Sequence, residues 1–213
     1  MVNPRDTKII SFDVEGTLVT PEFSYAVWFE AIPQRYATKN SLDIKQAREA
    51  VEREYHEVGD QRLEWYDISY WFNKMGLGSP TEVMRQCEAR VSYYPEVKEV
   101  LNSLSEKYRL VVSSGSSGDF LLHLLKDIRP YFWRVHSSIT DYRQLKTTEF
   151  YTQICREMEV EPERVVHVGD NWQFDVACPS EIGIKALHLD REQKTGNPRS
   201  LASLLELKNY LEA

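Results

Sequence analysis

From Tyr94 onward the chain repeats one pattern: a short apolar run rich in β-branched residues, a polar break, then a stretch with helical spacing. The runs are Arg109–Val112, Phe132–His136, Arg164–Val168 and Ile184–Leu189. The helical stretches are Pro95–Lys107, Asp119–Lys126, Thr147–Met158, part of Trp172–Ile182, and Arg199–Leu211. Strands that alternate with helices predict a parallel, doubly wound sheet, because each parallel pairing needs a long crossover. One further strand, Lys8–Phe12, stands near the start of the chain.

Between that first strand and the rest lies a region with no strand-like alternation. Pro21 opens it, and Phe23–Tyr36 has partial helical spacing with a break expected at Pro33. Leu42–Val58, Arg62–Met75 and Thr81–Val91 follow as helices, and Gly76–Pro80 stops the middle one. The expected organisation is a discontinuous core, 1–19 and 92–213, interrupted by an all-helical insertion over 20–91. The 213 residues are enough for that, and 42% apolar content supplies a core.

The net charge of −7 argues against nucleic acid or an anionic membrane as partner, while a local site can still attract a small anion. No apolar run is long enough to span a bilayer. Cys87, Cys155 and Cys178 are far apart, without a CxxC, which fits a reducing cytoplasmic setting rather than a disulfide framework.

Polar residues gather where these strands end. Asp13 and Glu15 follow the first strand, and Gly16 lets the chain leave it sharply. In extended chain these two acids point the same way. Ser113, Ser114 and Gly115 follow the second strand. Lys146 precedes the helix after the third. Gly169 and Asp170 close the fourth, with Asp175 five residues on. In a parallel sheet all of these reach the carboxyl edge, where such folds bind ligands.

This order resembles the haloacid dehalogenase superfamily. The resemblance rests on Phe12-Asp13-Val14-Glu15-Gly16-Thr17-Leu18, then Ser113, Lys146, and Gly169-Asp170 with Asp175. Tyr94-Pro95-Glu96-Val97 and Gly183-Ile184-Lys185-Ala186-Leu187 are similar to the subgroup with a helical cap inserted after the first motif. It implies a Rossmann-like α/β core with the insertion as cap, and a magnesium-dependent phosphatase of a small phosphorylated metabolite.

The resemblance also implies roles. Asp13 would attack phosphorus and form an aspartyl-phosphate. Asp13, Asp170 and the backbone carbonyl of Glu15 would hold Mg2+, which prefers hard oxygen ligands. Asp175 would hold a metal-bound water or orient Lys146; it also reads as an ordinary acid at a helix start. Ser113, with the amides near Ser114 and Gly115, would bind the phosphoryl group, and Lys146 would neutralise it.

Glu15 would protonate the leaving oxygen and then activate water. Most family phosphatases have aspartate there; glutamate is similar to the enolase-phosphatases of methionine salvage, which nothing else in the chain supports. Phe174 and Cys178-Pro179 also depart from the family pattern beside Asp175. Two other readings stand beside the phosphatase. One is a metal-free 2-haloacid dehalogenase, against which Glu15 and Asp170 argue. The other is a protein of this fold with weak or no turnover.

Overall fold

Strand β1 (Ile9–Phe12) is buried along its whole length. It ends in the middle of the molecule because it has a parallel neighbour on each side. These are β2 (Arg109–Ser114) and β4 (Val165–Gly169). With β3 (Phe132–Ser137) and β5 (Lys185–His188), the order is β3-β2-β1-β4-β5, one five-stranded sheet among the described residues. The computed structural model describes residues 7–195 and 200–212.

The register decides what meets at the carboxyl edge. Phe12 lies level with Val112 on one side and with Val168 on the other. Asp13, Ser113 and Gly169 are therefore the next residues out on three adjacent strands. Side-chain alternation sends the apolar residues to two cores. Ile10, Phe12, Val112 and Val168 pack on one face. Ile9, Val111 and Val165 pack on the other, against Phe150 and Ile154. Each side chain buried this way contributes roughly 1.5–3 kcal/mol.

After the turn at 13–21, the residues between β1 and β2 are mostly helical. They form α1 (Glu22–Tyr25), a π-helical turn (Ala26–Ala31), α2 (Ile32–Asn40), α3 (Ile44–Val58), α4 (Leu63–Tyr66), α5 (Ile68–Met75), α6 (Pro80–Cys87) and α7 (Val97–Ser105). Helix α3 starts at a capping box, in which Asp43 accepts from the Gln46 N–H at 2.9 Å and Gln46 reaches back. The break expected at Pro33 does not occur. The Ile32 N–H bonds five residues back to the Val27 carbonyl, and this wider turn leaves the proline ring room at the start of α2. The helix expected over Arg62–Met75 is instead split at Asp67, whose carboxylate caps α5 through the Ser69 N–H.

The core continues with α8 (Gly118–Leu124), α9 (Thr148–Glu157) and the short α10 (Cys178–Ser180). A second π-helical turn, Trp172–Ala177, precedes α10. The last helix, α11, covers only Glu206–Glu212. Leu201 pairs with the end of β5 through His188 and with Asp190, so its backbone groups are not available to a helix. Arg199, where that helix was expected to start, lies outside the described residues, as do the ends of the expected core at 1–6 and 213. No helix among the described residues is long and apolar enough to cross a membrane.

Candidate active site

Asp13 is held at the end of β1 by its own N–H, which donates to the Val168 carbonyl at 2.9 Å. The chain then folds back at once: the Leu18 and Val19 N–H groups both donate to the Val14 carbonyl. Gly16 makes this possible in two ways. Its φ is +76°, and a Cβ there would lie 2.2 Å from an Asp170 carboxylate oxygen. Arg191 clamps the turn from outside, donating to the Gly16 and Thr17 carbonyls and to Glu96 at 2.7 Å while its guanidinium covers the Tyr94 ring.

Lys146 reaches in from the loop before α9. Its ammonium donates to Asp13 Oδ1 at 2.7 Å and also to Asp175 Oδ1. Asp175 is buried on the second π-helical turn and accepts the Asn171 N–H at 2.9 Å with its other oxygen. Gly169 is what allows this approach, since a Cβ on it would overlap the Asp175 carboxylate at 2.2 Å. His167 sits behind: Nε2 is 3.1 Å from Asp175 Oδ1 and 3.0 Å from the Tyr151 hydroxyl, and Nδ1 is 2.8 Å from Ser11 Oγ. Ser11 in turn donates to Ser113 at 2.8 Å. The polar chain thus runs from Ser113 under the sheet edge to Asp13.

Ser113 is therefore turned into this buried chain. Ser114 accepts the Ser116 N–H at 3.1 Å and shapes the turn after β2. Gly115 lies alongside the Lys146 stem. Glu15 stands apart from the lysine network. One of its carboxylate oxygens accepts from Ser24 on α1, the other from Ser116. It opens on a cavity of about 340 Å³ walled mainly by aromatic rings of the helical insertion.

Ser11, Ser24, Ser116, Tyr151 and His167 did not stand out in the sequence. For Ser11 a signal existed, since it lies two residues before Asp13 on the same face of β1. His167 has a comparable position, two before Gly169. Ser24 and Ser116 lie outside any strand and have no such periodicity.

Three carboxylates share this edge with one ammonium. Burial pushes the Asp13 carboxyl well up, and Asp175 and Asp170 push it further; the Lys146 ammonium opposes them. Asp170 keeps contact with solvent at the rim, so its dehydration is partial, yet loss of water and the neighbouring Asp175 still push it to about 6. Asp175 is held well below the usual carboxylate range despite its burial, because the Lys146 ammonium donates to it and the His167 ring lies against the same oxygen. Burial alone would lower Lys146, but Asp13 and Asp175 flank it and hold it well above its usual value. Burial keeps His167 low and neutral.

The residues fit a divalent cation. Asp13, Asp170 and Asp175 bring one oxygen each within 4.8 Å of one another. Asp170 has no side-chain donor bound to it, and no backbone donor satisfies the Glu15 carbonyl, among the described residues. Asp175 has both oxygens engaged, so it suits an orienting role better than direct ligation. A hard cation would also offset the excess negative charge.

Comparisons with known proteins agree with this arrangement. A relative from Escherichia coli (strain K12), the GMP/IMP nucleotidase YrfG, is 30% identical over 73 residues. That match spans 34% of this chain and 32% of the relative. The fold resembles the crystal structure of a HAD phosphatase from Thermococcus onnurineus, with a TM-score of 0.86 at 22% identity over 96% of this chain and 98% of that one. It also resembles a 2-haloacid dehalogenase from Pseudomonas syringae pv. Tomato DC3000, with a TM-score of 0.70 at 19% identity over 97% and 98%. At such identities the two structures speak for the fold alone. The family model for "haloacid dehalogenase-like hydrolase" matches residues 7–183, from before the first strand to beyond Asp175. An acid-rich parallel-sheet edge, a lysine tied to two of its carboxylates, and a match of that length lead to one conclusion: this chain belongs to the haloacid dehalogenase-like hydrolases.

Proposed function

We propose that the protein is a magnesium-dependent phosphatase of a small phosphate monoester, with the helical insertion acting as a cap over the site. The observation that carries this is the Lys146 ammonium between Asp13 and Asp175, with Asp170 facing the same point. The nucleotidase relative supports a phosphorylated substrate.

Asp13 uses the oxygen that Lys146 does not engage to attack phosphorus. The ester bond to the leaving oxygen breaks as the Asp13–phosphorus bond forms. Glu15, in its acid form, gives that oxygen a proton. In the second half Glu15, now a carboxylate, takes a proton from water. The water oxygen bonds to phosphorus, phosphate leaves, and the Asp13 carboxylate is restored. The hydroxyls of Ser24 and Ser116 suit both states of Glu15, since a hydroxyl can donate to a carboxylate or accept from an acid. Lys146 keeps Asp13 aimed and offsets charge on the transferring group, with Gly115 alongside its stem. Asp13, Asp170 and the Glu15 carbonyl would hold Mg2+, which supplies electrostatic stabilisation of phosphoryl oxygens.

The dehalogenase reading has no residue of its own here, because displacing halide from carbon leaves Glu15 and Asp170 without a task. Phosphate release from a generic aryl phosphate, with and without magnesium, separates the two. Release that needs magnesium and falls to background in Asp13→Asn is the expected result. Chloride release from 2-chloropropionate by enzyme that frees no phosphate would overturn it.

A further inference from the structure

The cavity that opens on Glu15 has a lining unlike the rest of the edge. Trp28, Phe29, Tyr55, Trp65, Tyr66 and Trp71 wall it from the insertion, and Phe120 closes it from the core. Among the described residues Glu15 is its single charged side chain and no cation lines it, so a second anionic group on a ligand would meet a carboxylate there.

The rings are held in place. Tyr55 is the hub: it meets Trp28, Phe29, Trp65 and Trp71 at centroid distances of 6.0, 6.2, 6.1 and 4.7 Å, all edge to face. Its hydroxyl donates to the Trp28 carbonyl, and the Trp71 indole N–H donates to the Trp65 carbonyl. The polar ends of those two rings are therefore spent inside the wall. Trp28 and Phe29 lie on the first π-helical turn, a local irregularity that often marks a functional site. Phe29 remains 41% exposed at the mouth. Burial pushes the Tyr66 phenol to about 12, so it stays neutral, and both Lys146 and Glu15 act on it. Its hydroxyl has no hydrogen-bond partner among the described residues.

We propose that this cavity receives the leaving group of the substrate, and that the leaving group carries a flat, uncharged aromatic ring. The proposal rests on the phosphatase reading only in that the ester oxygen would then lie at Glu15. Fixed aromatic walls favour stacking and edge contacts with another ring over a polyhydroxylated sugar, whose hydroxyls would go unpaired there. A quaternary ammonium group is the competing occupant of such a ring cage beside a carboxylate, and the phosphocholine arm of the test below decides between them. Simple aryl-alkyl alcohols and nucleosides share the required chemistry, and Tyr66 offers the hydroxyl that a nucleoside edge or ribose would use.

The test compares esters of primary alcohols, so that leaving-group acidity does not mask binding. These are 2-phenylethyl phosphate, a nucleoside 5′-monophosphate, butyl phosphate, glycerol phosphate and phosphocholine, all with magnesium. The expected kcat/KM for at least one of the first two exceeds that of the last three by about tenfold or more. Whichever of the two leads names the source of the ring. In Trp65→Ala, and separately in the more exposed Phe29→Ala, the advantage shrinks through KM. Equal rates across the set, a preference for phosphocholine or glycerol phosphate, or an advantage unchanged in both variants would overturn the proposal. Tryptophan fluorescence titrated with 2-phenylethanol and with the free nucleoside gives a readout that needs no turnover. If no ester is hydrolysed, the phosphatase reading fails; the cavity proposal fails only if neither alcohol binds.

Discussion

The two halves of this site are built by different physics. The half on the sheet edge is a chain of ionic and polar groups, Asp13, Lys146, Asp175, His167 and Ser11, each bonded to the next and almost wholly out of water. The half in the insertion is a nest of rings that meet Tyr55 edge to face, with no charge among them. The first has little tolerance, because a buried charge that loses its partner costs far more than the pair contributes. The second tolerates substitution, because rings of similar volume can repack. On the proposed phosphatase reading, the chemistry is fixed by strand register, while selectivity would drift with the insertion. Glu15 is where the halves meet, tied to Ser24 on one side and Ser116 on the other.

The largest effect should come from Lys146→Met. It leaves Asp13 and Asp175 facing each other without a cation, so the metal-free protein should lose about 3–5 kcal/mol of stability, and the variant assayed with magnesium should show no measurable turnover. Urea unfolding in the presence of chelator checks the first part. A variant as stable as wild type would mean that the polar half does not depend on this ion pair. By contrast, truncating a ring such as Phe29 should leave the unfolding midpoint nearly unchanged.

Next in size is Glu15→Gln. It keeps the hydroxyl contacts but cannot cycle a proton, so kcat should fall by about 10²–10⁴ with little change in KM. A loss confined to KM would move Glu15 from the chemistry into the binding wall. His167→Leu comes third. It strips a partner from Ser11 and Tyr151 in the buried chain, and should cost roughly 1–3 kcal/mol by denaturant titration. No loss would show that the chain beneath Asp13 is not maintained by the imidazole.

The two halves were also unequally legible. Strand–helix alternation and the polar residues at strand ends were enough to bring Asp13, Lys146, Asp170 and Asp175 to one edge, because register in a buried parallel sheet leaves little freedom. The helical nature of the insertion could be read, but its ring cluster could not. Tyr55, Trp65 and Trp71 lie on three different helices, and their meeting depends on turns such as the cap at Asp67 that local spacing does not encode. The π-helical turn that carries Trp28 and ends just before Pro33 has the same origin: a local rule gave way to packing. Ser24 and Ser116 were missed because a loop or helix-start serine has no pattern until a carboxylate is placed beside it.

The smallest effect lies outside both halves and sharpens their separation. His136 on β3 is buried, with Nδ1 2.8 Å from the Tyr142 hydroxyl and Nε2 without a partner among the described residues. Burial holds it below its ordinary pKa of about 6.5, with Glu157 opposing and Arg134 adding to the depression. As pH falls through that value, the unfolded chain takes up a proton that the folded protein resists. The stability contributed by neutral His136 is therefore present above about pH 6.5 and is lost as pH falls toward the folded-state value, by at most about 1.4 kcal/mol per pH unit. His136→Phe should flatten that part of the stability profile, measured by urea midpoints from pH 7.5 to 5. The pH dependence of kcat/KM should be the same in both proteins, because His136 touches neither the ionic chain nor the rings. A shifted activity profile in His136→Phe would show that the polar half extends across β2 into β3, and the boundary drawn here between site and scaffold would have to move.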